Sequence, residues 1–196
     1  MKDRWISRNM IALAMGAFIL CGLTGASWAD DHSGTITSDT TWYAADNPHV
    51  IISTVTVQAG VTLTLEDGVE VQLNSGQSLN INGTLTAVGT PGAGIVFTKS
   101  GASNGYAVQI LSGGRGTFDC CTIEYINYGI FTYYGADTVS VSHCAFQNCS
   151  YAIRATGGTV ELSSDTLANN TTYGFYGDDV APTLSVSYTH LRAHET

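Results

Sequence analysis

The sequence predicts an all-β solenoid, a parallel β-helix of about six coils behind an N-terminal cap. The first observation is texture. Almost nothing in the central region reads as helix; short runs alternate apolar and polar residues, punctuated by Gly, Asn and Ser, with prolines only at Pro48, Pro91 and Pro182. The second is a period. Ile123, Phe146 and Leu167 are 23 and 21 residues apart, and so are Phe118, Val141 and Leu162, while Ile130, Ile153 and Phe175 are 23 and 22 apart. The first half repeats less regularly, with 24 residues from Val57 to Ile81, 22 from Leu63 to Leu85 and 26 from Val71 to Phe97. A meander of hairpins has no reason to return the same apolar columns. A coil of three short strands and three turns uses about two dozen residues and stacks ~4.8 Å above its predecessor.

Residues 1–29 are set apart as a secretory leader. A basic opening (Lys2, Arg4, Arg8) precedes an apolar stretch from Ile11 to Leu23, and Ser27 and Ala29 stand where a signal peptidase reads small residues. Cleavage is expected after Ala29. The apolar stretch is short of the ~20 residues that a membrane span needs. A lipid anchor at Cys21 is the weaker reading, because Leu20 is a poor residue to precede a lipidated cysteine. The mature chain is therefore expected to be secreted or at the cell surface, with no membrane span after cleavage.

Residues 30–52 read as an N-terminal cap and entry strand. The stretch "DDHSGTITSDTTWYAADNPHV" is expected to cover the open edge of the first coil, with Trp42 as its apolar plug. Residues 53–184 hold the coils. In "GVTLTLEDGVEVQL" (60–73) two alternating runs flank Glu66, Asp67 and Gly68. Alone this stretch fits a three-residue hairpin loop. The columns make it a corner between two strands of one coil, with Asp-Gly supplying the positive φ of a sharp turn. Asn148 and Asn169 share a column, where amides can bond along the axis as in asparagine ladders.

The final "SVSYTHLRAHET" breaks with what precedes it, bringing two of the five histidines and an arginine into a chain with few bases. It resembles an in-frame translation of a transposon-end sequencing adapter, over roughly 186–196. Residues 185–196 are accordingly set aside as a non-native tail, and His190, Arg192, His194 and Glu195 are not read as a catalytic or metal cluster. On that expectation the natural protein is longer and the solenoid is truncated at its C-terminal end.

"GTITSDTTWYAADNPHVIISTVTVQAGVTLTLEDGVEVQL", followed by "NGTLTAVGTPGAGIVFT", resembles the opening coils of bacterial right-handed parallel β-helix proteins of the pectin-lyase-like superfamily. The later F-x-N-x-x-x-A-I pattern resembles that family's β-helix repeat. The resemblance spans Gly34 to about Asp179 and implies the fold. Right-handedness follows from it and from the general preference of parallel crossovers. It leaves function open, since lyases, hydrolases, adhesins and passive surface proteins share the scaffold.

From Asp30 to Leu184 there are three basic residues, Lys99, Arg115 and Arg154, against fourteen acidic ones, a formal net charge of −11. Such a surface repels phosphate backbones and anionic membranes, which argues against a nucleic-acid partner. A polysaccharide lyase on this fold would need a basic residue and, usually, calcium held by carboxylates. Arg154 should project from a strand and Arg115 sits in a glycine-rich turn, and neither has an evident carboxylate cluster beside it, so calcium is unsupported. Glycoside hydrolysis needs carboxyl groups about 5 to 9.5 Å apart. Asp119 and Glu161 lie two coils apart and two positions out of register, ~12 Å by strand spacing. Asp178 and Asp179 resemble the paired aspartates of the polygalacturonase members, but their companions Asn-Thr-Asp, Gly-His-Gly and Arg-Ile-Lys are missing.

No catalytic constellation emerges, and no Cys-x-x-Cys or histidine at zinc-ligand spacing suggests a metal. No serine or cysteine pairs with His32, His49 or His143 for nucleophilic catalysis. Tyrosines crowd the clear repeat and offer a stacking platform for sugar rings. Tyr128 and Tyr151 stand two residues before an inward isoleucine, so alternation places them inward or at a corner. Phe131, Tyr133 and Tyr134 are expected to be exposed, and with Arg154 they form the candidate ligand-binding set. Cys121 and Cys144 match on adjacent coils; a separation near ~4.8 Å permits a disulfide, but parallel side-chain vectors make its torsion awkward, so a stacked thiol pair is expected. Cys149 reads as a small buried apolar side chain, and the state of Cys120 is open. The leading expectation is a structural or carbohydrate-contacting module. The alternatives are the N-terminal piece of a polysaccharide lyase or glycoside hydrolase, and a surface-displayed adhesin stalk.

Overall fold

Alternation of apolar and polar residues lets each short segment bury one side, and no segment is long enough to do so without a neighbour above and below. The outcome, in a computed structural model that describes residues 29–102 and 104–178, is a right-handed parallel β-solenoid of about six turns. The proposed leader through residue 28 and the segment 185–196 lie outside the described residues.

A strand β1 (Asp30–Ile36) precedes the coils. The first coil consists of β2 (Thr40–Trp42) and the long β3 (His49–Val57). The second runs through β4 (Thr62–Leu65), β5 (Glu70–Leu73) and β6 (Ser78–Ile81), and the third through β7 (Thr84–Val88), β8 (Ile95–Lys99) and β9 (Gly105–Ile110). The fourth comprises β10 (Arg115–Asp119), β11 (Cys121–Glu124) and β12 (Ile126–Thr132). The fifth comprises β13 (Thr138–Ser142), β14 (Ala145–Gln147) and β15 (Tyr151–Ala155); the sixth, β16 (Thr159–Ser163), β17 (Thr166–Ala168) and β18 (Tyr173–Gly177).

Each strand pairs in parallel with its equivalent one coil away, giving three faces. The first is β2-β4-β7-β10-β13-β16. The first half of β3 opens the second face, β5-β8-β11-β14-β17, and its second half opens the third, β6-β9-β12-β15-β18. "EDG" is a corner: the Val69 N–H donates to Glu66 O at 3.1 Å, Gly68 has φ 79°, and the flanking β4 and β5 belong to different faces.

The columns meet as the period requires. Ile123 pairs with Phe146 and Phe146 with Leu167; Phe118 pairs with Val141 and Val141 with Leu162. All six are buried, in one continuous core cluster. At ~1.5–3 kcal/mol for each fully buried large apolar side chain, these columns are the main stabilising term, and they act only through stacking.

Among the described residues, six non-glycine residues adopt positive φ, at two corners. Cys120, His143 and Ser164 (φ 50°, 52° and 60°) turn the chain from the first face to the second; Tyr125, Asn148 and Asn169 (55°, 56° and 55°) turn it from the second to the third. Asn148 and Asn169 thus share a column as left-handed corner residues, a conformation asparagine tolerates well. The amide that bonds between these coils is the next one along, Asn170, whose Oδ1 accepts from the Cys149 N–H at 3.0 Å and whose Nδ2 donates to Phe146 O at 3.2 Å.

At the N-terminal end β1 pairs along β3 in two registers, shifting between His32 and Gly34, and so covers the edges of the second and third faces. Trp42, 3% exposed, ends the first-face column. It stacks on His32 (centroids 4.1 Å apart) and on His49 (5.0 Å), so the first coil is closed by three parallel rings rather than by aliphatic side chains.

Candidate functional site

Two places on the solenoid gather side chains with chemical potential, an aromatic flank on the third face and a cavity at the corner between the first and second.

The flank departs from simple alternation. Tyr128 pairs with Ala107 and Ile130 with Val108, so Gly129 is an extra residue in β12 relative to β9. In β15, Ala152 and Ile153 are both fully buried in succession. Two consecutive inward residues reverse the phase of the preceding position, and Tyr128 and Tyr151, expected inward or at a corner, form an outer column with Tyr173 instead. Successive ring centroids from Tyr106 through Tyr128 and Tyr151 to Tyr173 are 5.2, 5.0 and 5.6 Å apart, close to the coil rise.

Phe131, Arg154 and Tyr176 form the adjacent outer column. The Arg154 guanidinium lies 4.8 Å from the Phe131 ring centre, 5.5 Å from Tyr128, 5.8 Å from Tyr176 and 6.0 Å from Tyr151. Its Nε is buried with no hydrogen-bond partner. The cation is held by ring faces, an arrangement that strengthens where water is excluded. Phe131 corrects the expectation of exposure: it is 6% exposed, its ring stacked on Tyr133 at 4.2 Å and covered by Arg154. Burial raises the Tyr133 phenol above its ordinary value, with neighbouring Tyr106 adding to the rise and the Arg154 charge opposing it. Of the four sequence-predicted residues the structure brings Phe131, Tyr133 and Arg154 together. Tyr134, 69% exposed, stands outside the ring cluster.

The other two basic residues among the described residues are engaged on the surface. Arg115 opens β10, beyond the glycine turn, and pairs with Asp137 at 2.8 Å, while Lys99 lies 5.1 Å over the Tyr125 ring.

The corner cavity has a volume of about 590 Å³ and is walled by the loop Gly89–Gly94 on one side and by Asp119, Cys120 and His143 on the other. A Cβ on Gly94 would fall 2.2 Å from the Cys120 carbonyl oxygen, so glycine lets the loop approach the corner. Asp119 Oδ1 accepts from the Ser142 hydroxyl and from His143 Nδ1, both at 2.8 Å. These bonds, that of His143 first, hold the Asp119 carboxyl below the usual carboxylate range. The Cys120 thiol is raised, first by desolvation and then by the Asp119 charge. One ligand atom from each of Asp119, Cys120 and His143 lies within 4.8 Å of the other two.

Local spacing missed this convergence. A search for ligands three to five residues apart cannot see a solenoid pair. The signal present was the period itself: His143 follows Cys120 by 23 residues, as Cys144 follows Cys121. Asp30, His32 and His49 converge similarly at the cap, but there His49 is buried with both ring nitrogens hydrogen-bonded, to His32 and to Tyr43 O.

Cys121 and Cys144 are free thiols on adjacent coils, both buried, with the Cys121 N–H pointing at Cys144 Sγ at 3.4 Å. The next member of the column, Asp165, plays the same part for Cys144, accepting its N–H at 2.8 Å.

Residues 94–194 match the family model described as right handed beta helix region, from the third coil into the segment set aside as a tail. The Drosophila melanogaster protein named "Protein bark beetle" is 30% identical over 87 residues, 44% of this chain. The chain spans 3% of that relative's length. No solved structure matches.

Proposed function

This chain belongs to the right-handed β-helix family, and from that premise we propose that it is an exported, non-catalytic scaffold whose third-face flank binds a neutral glycan chain. Export rests on the leader read in residues 1–29. The observation that carries the ligand is the outer column Tyr128, Tyr151 and Tyr173, extended by the Tyr106 ring set edge-on to Tyr128, ring after ring along the solenoid axis. A row of neighbouring phenols, Tyr128 stacked on Tyr151 and the others tilted or edge-on, offers apolar surface and hydroxyls to an elongated partner, and sugar rings combine those same two surfaces. Tyr173, 48% exposed, is the most open position of that column and Arg154 lies inside the cluster as its only cation. The formal charge of −11 over residues 30–184 favours neutral over anionic polymers.

The test is affinity electrophoresis in gels carrying xyloglucan, galactomannan, mixed-linkage glucan or polygalacturonate. Retardation by at least one neutral polymer, weakened about two- to tenfold in Kd by Tyr173→Ala, is expected for one lost stacking contact, on the ~0.5–1.5 kcal/mol scale of aromatic pairs. Equal mobility in every gel overturns the reading, and release of reducing ends from any polymer replaces it with a hydrolase or lyase.

A further inference from the structure

We propose that Asp119, Cys120 and His143 form a three-ligand site for a borderline divalent cation, zinc by preference, open to the corner cavity at its fourth position. The site lies at the first-to-second corner, away from the tyrosine flank, and does not depend on the glycan reading.

The argument begins with backbone. Cys120 and His143 are left-handed corner residues of adjacent coils, so their side chains leave the chain at equivalent points one strand spacing apart. Asp119 precedes the corner as the last residue of β10, and its carboxylate already joins the coils through Ser142 and His143. The three ligand atoms lie within 4.8 Å of one another, so a small inward movement brings all of them to bonding distance of one ion, at ~2.0–2.3 Å for zinc. The side chains of His143 and Asp119 are 61% and 33% exposed, which leaves that movement unobstructed.

The donor set selects the metal class. A thiolate, an imidazole and a carboxylate make a mixed S, N, O set, suited to zinc and unsuited to calcium or magnesium, which take oxygen. Three protein ligands beside a cavity of about 590 Å³ leave room for water or a small oxygen ligand in the fourth position. On binding, the Cys120 thiol gives its proton to solvent and ligates as thiolate. The ion takes the place of the proton now shared between His143 Nδ1 and Asp119 Oδ1, and the imidazole proton moves to Nε2 at the surface.

Cobalt(II) serves as the spectroscopic probe for zinc. Titration of the purified chain with cobalt chloride is expected to raise a near-ultraviolet thiolate-to-cobalt charge-transfer band that saturates at one ion per chain and is displaced by zinc chloride. Cys120→Ser abolishes the band and His143→Ala weakens cobalt binding at least tenfold, with far-ultraviolet circular dichroism unchanged in both. His32→Ala, at the cap, leaves the band intact. Absence of a saturable band, or a band that survives in Cys120→Ser, overturns the proposal.

Discussion

The imidazoles of His32 and His49 meet edge to edge, Nε2 to Nδ1 at 2.9 Å, in the cap that closes the first coil. His49 Nε2 also lies 2.9 Å from the Tyr43 carbonyl oxygen, which can only accept. The hydrogen of neutral His49 is therefore on Nε2, its Nδ1 is a lone pair, and the Nε2–H of His32 donates to it.

The cap should loosen in acid. Burial lowers the His32 pKa from its ordinary 6.5, with Asp30 opposing, His49 adding to the fall and Asp31 opposing. A histidine depressed in the folded state binds its proton more readily when unfolded. Its contribution to stability is fully present above about pH 6.5 and is lost as the pH falls through the folded value. The urea midpoint is expected to be lower at pH 5 than at pH 7.5, with a smaller difference in His32→Gln. A midpoint that is flat or rises in acid contradicts the lowering of His32 by burial.

Asp165 should tolerate asparagine better than alanine. It is 5% exposed and its two oxygens accept from the Cys144 and Ser163 N–H groups at 2.8 and 3.0 Å. Burial raises its carboxyl above the ordinary range. Asp165→Ala strands those donors and is expected to cost about 1–3 kcal/mol. Asp165→Asn keeps one acceptor but sets its NH2 against the other N–H, and is expected to lose less than the alanine variant in urea unfolding without matching the parent.

Truncation in the middle of a column should be severe. Phe146 is fully buried between Ile123 and Leu167. Phe146→Ala is expected to lose about 3–5 kcal/mol, the range for large-to-small changes at well-packed sites. A loss below 1 kcal/mol would show that the coils collapse onto the cavity.

Thiol reactivity should separate Cys120 from the rest. Cys121, Cys144 and Cys149 are buried; burial pushes Cys149 up to about 11, and Cys121 is raised by its bond with Cys144 and by burial. Half-buried Cys120 is expected to react first with a disulfide reagent at pH 8, the other three only on unfolding. Titration that finds no free thiol between residues 30 and 178 would establish disulfides instead.

The ring cluster gives a titration of its own. The charge of Arg154 lowers the Tyr133 phenol against the larger upward effect of burial. In Arg154→Gln the Tyr133 resonance is expected to titrate at higher pH than in the parent, by NMR of ring-labelled protein. A shift in the other direction would remove the guanidinium from the ring cluster.

Sequence alone determined the winding, because burial requires it. Ile123, Phe146 and Leu167 repeat at the length of one circuit, and only a coil puts them in contact. The same columns identified the Glu66–Gly68 corner, and the need to cover an open first coil placed Trp42 as its buried plug. What the period could not show was phase and convergence. A single extra residue at Gly129 turned Tyr128 outward, and neighbouring rings then covered Phe131, which depends on side chains from several coils at once. The meeting of Asp119 and Cys120 with His143 was likewise decided in three dimensions. Periodicity states which residues lie one above another, while the direction a corner side chain takes depends on the left-handed backbone that carries it and on the glycine loop that makes room beside it.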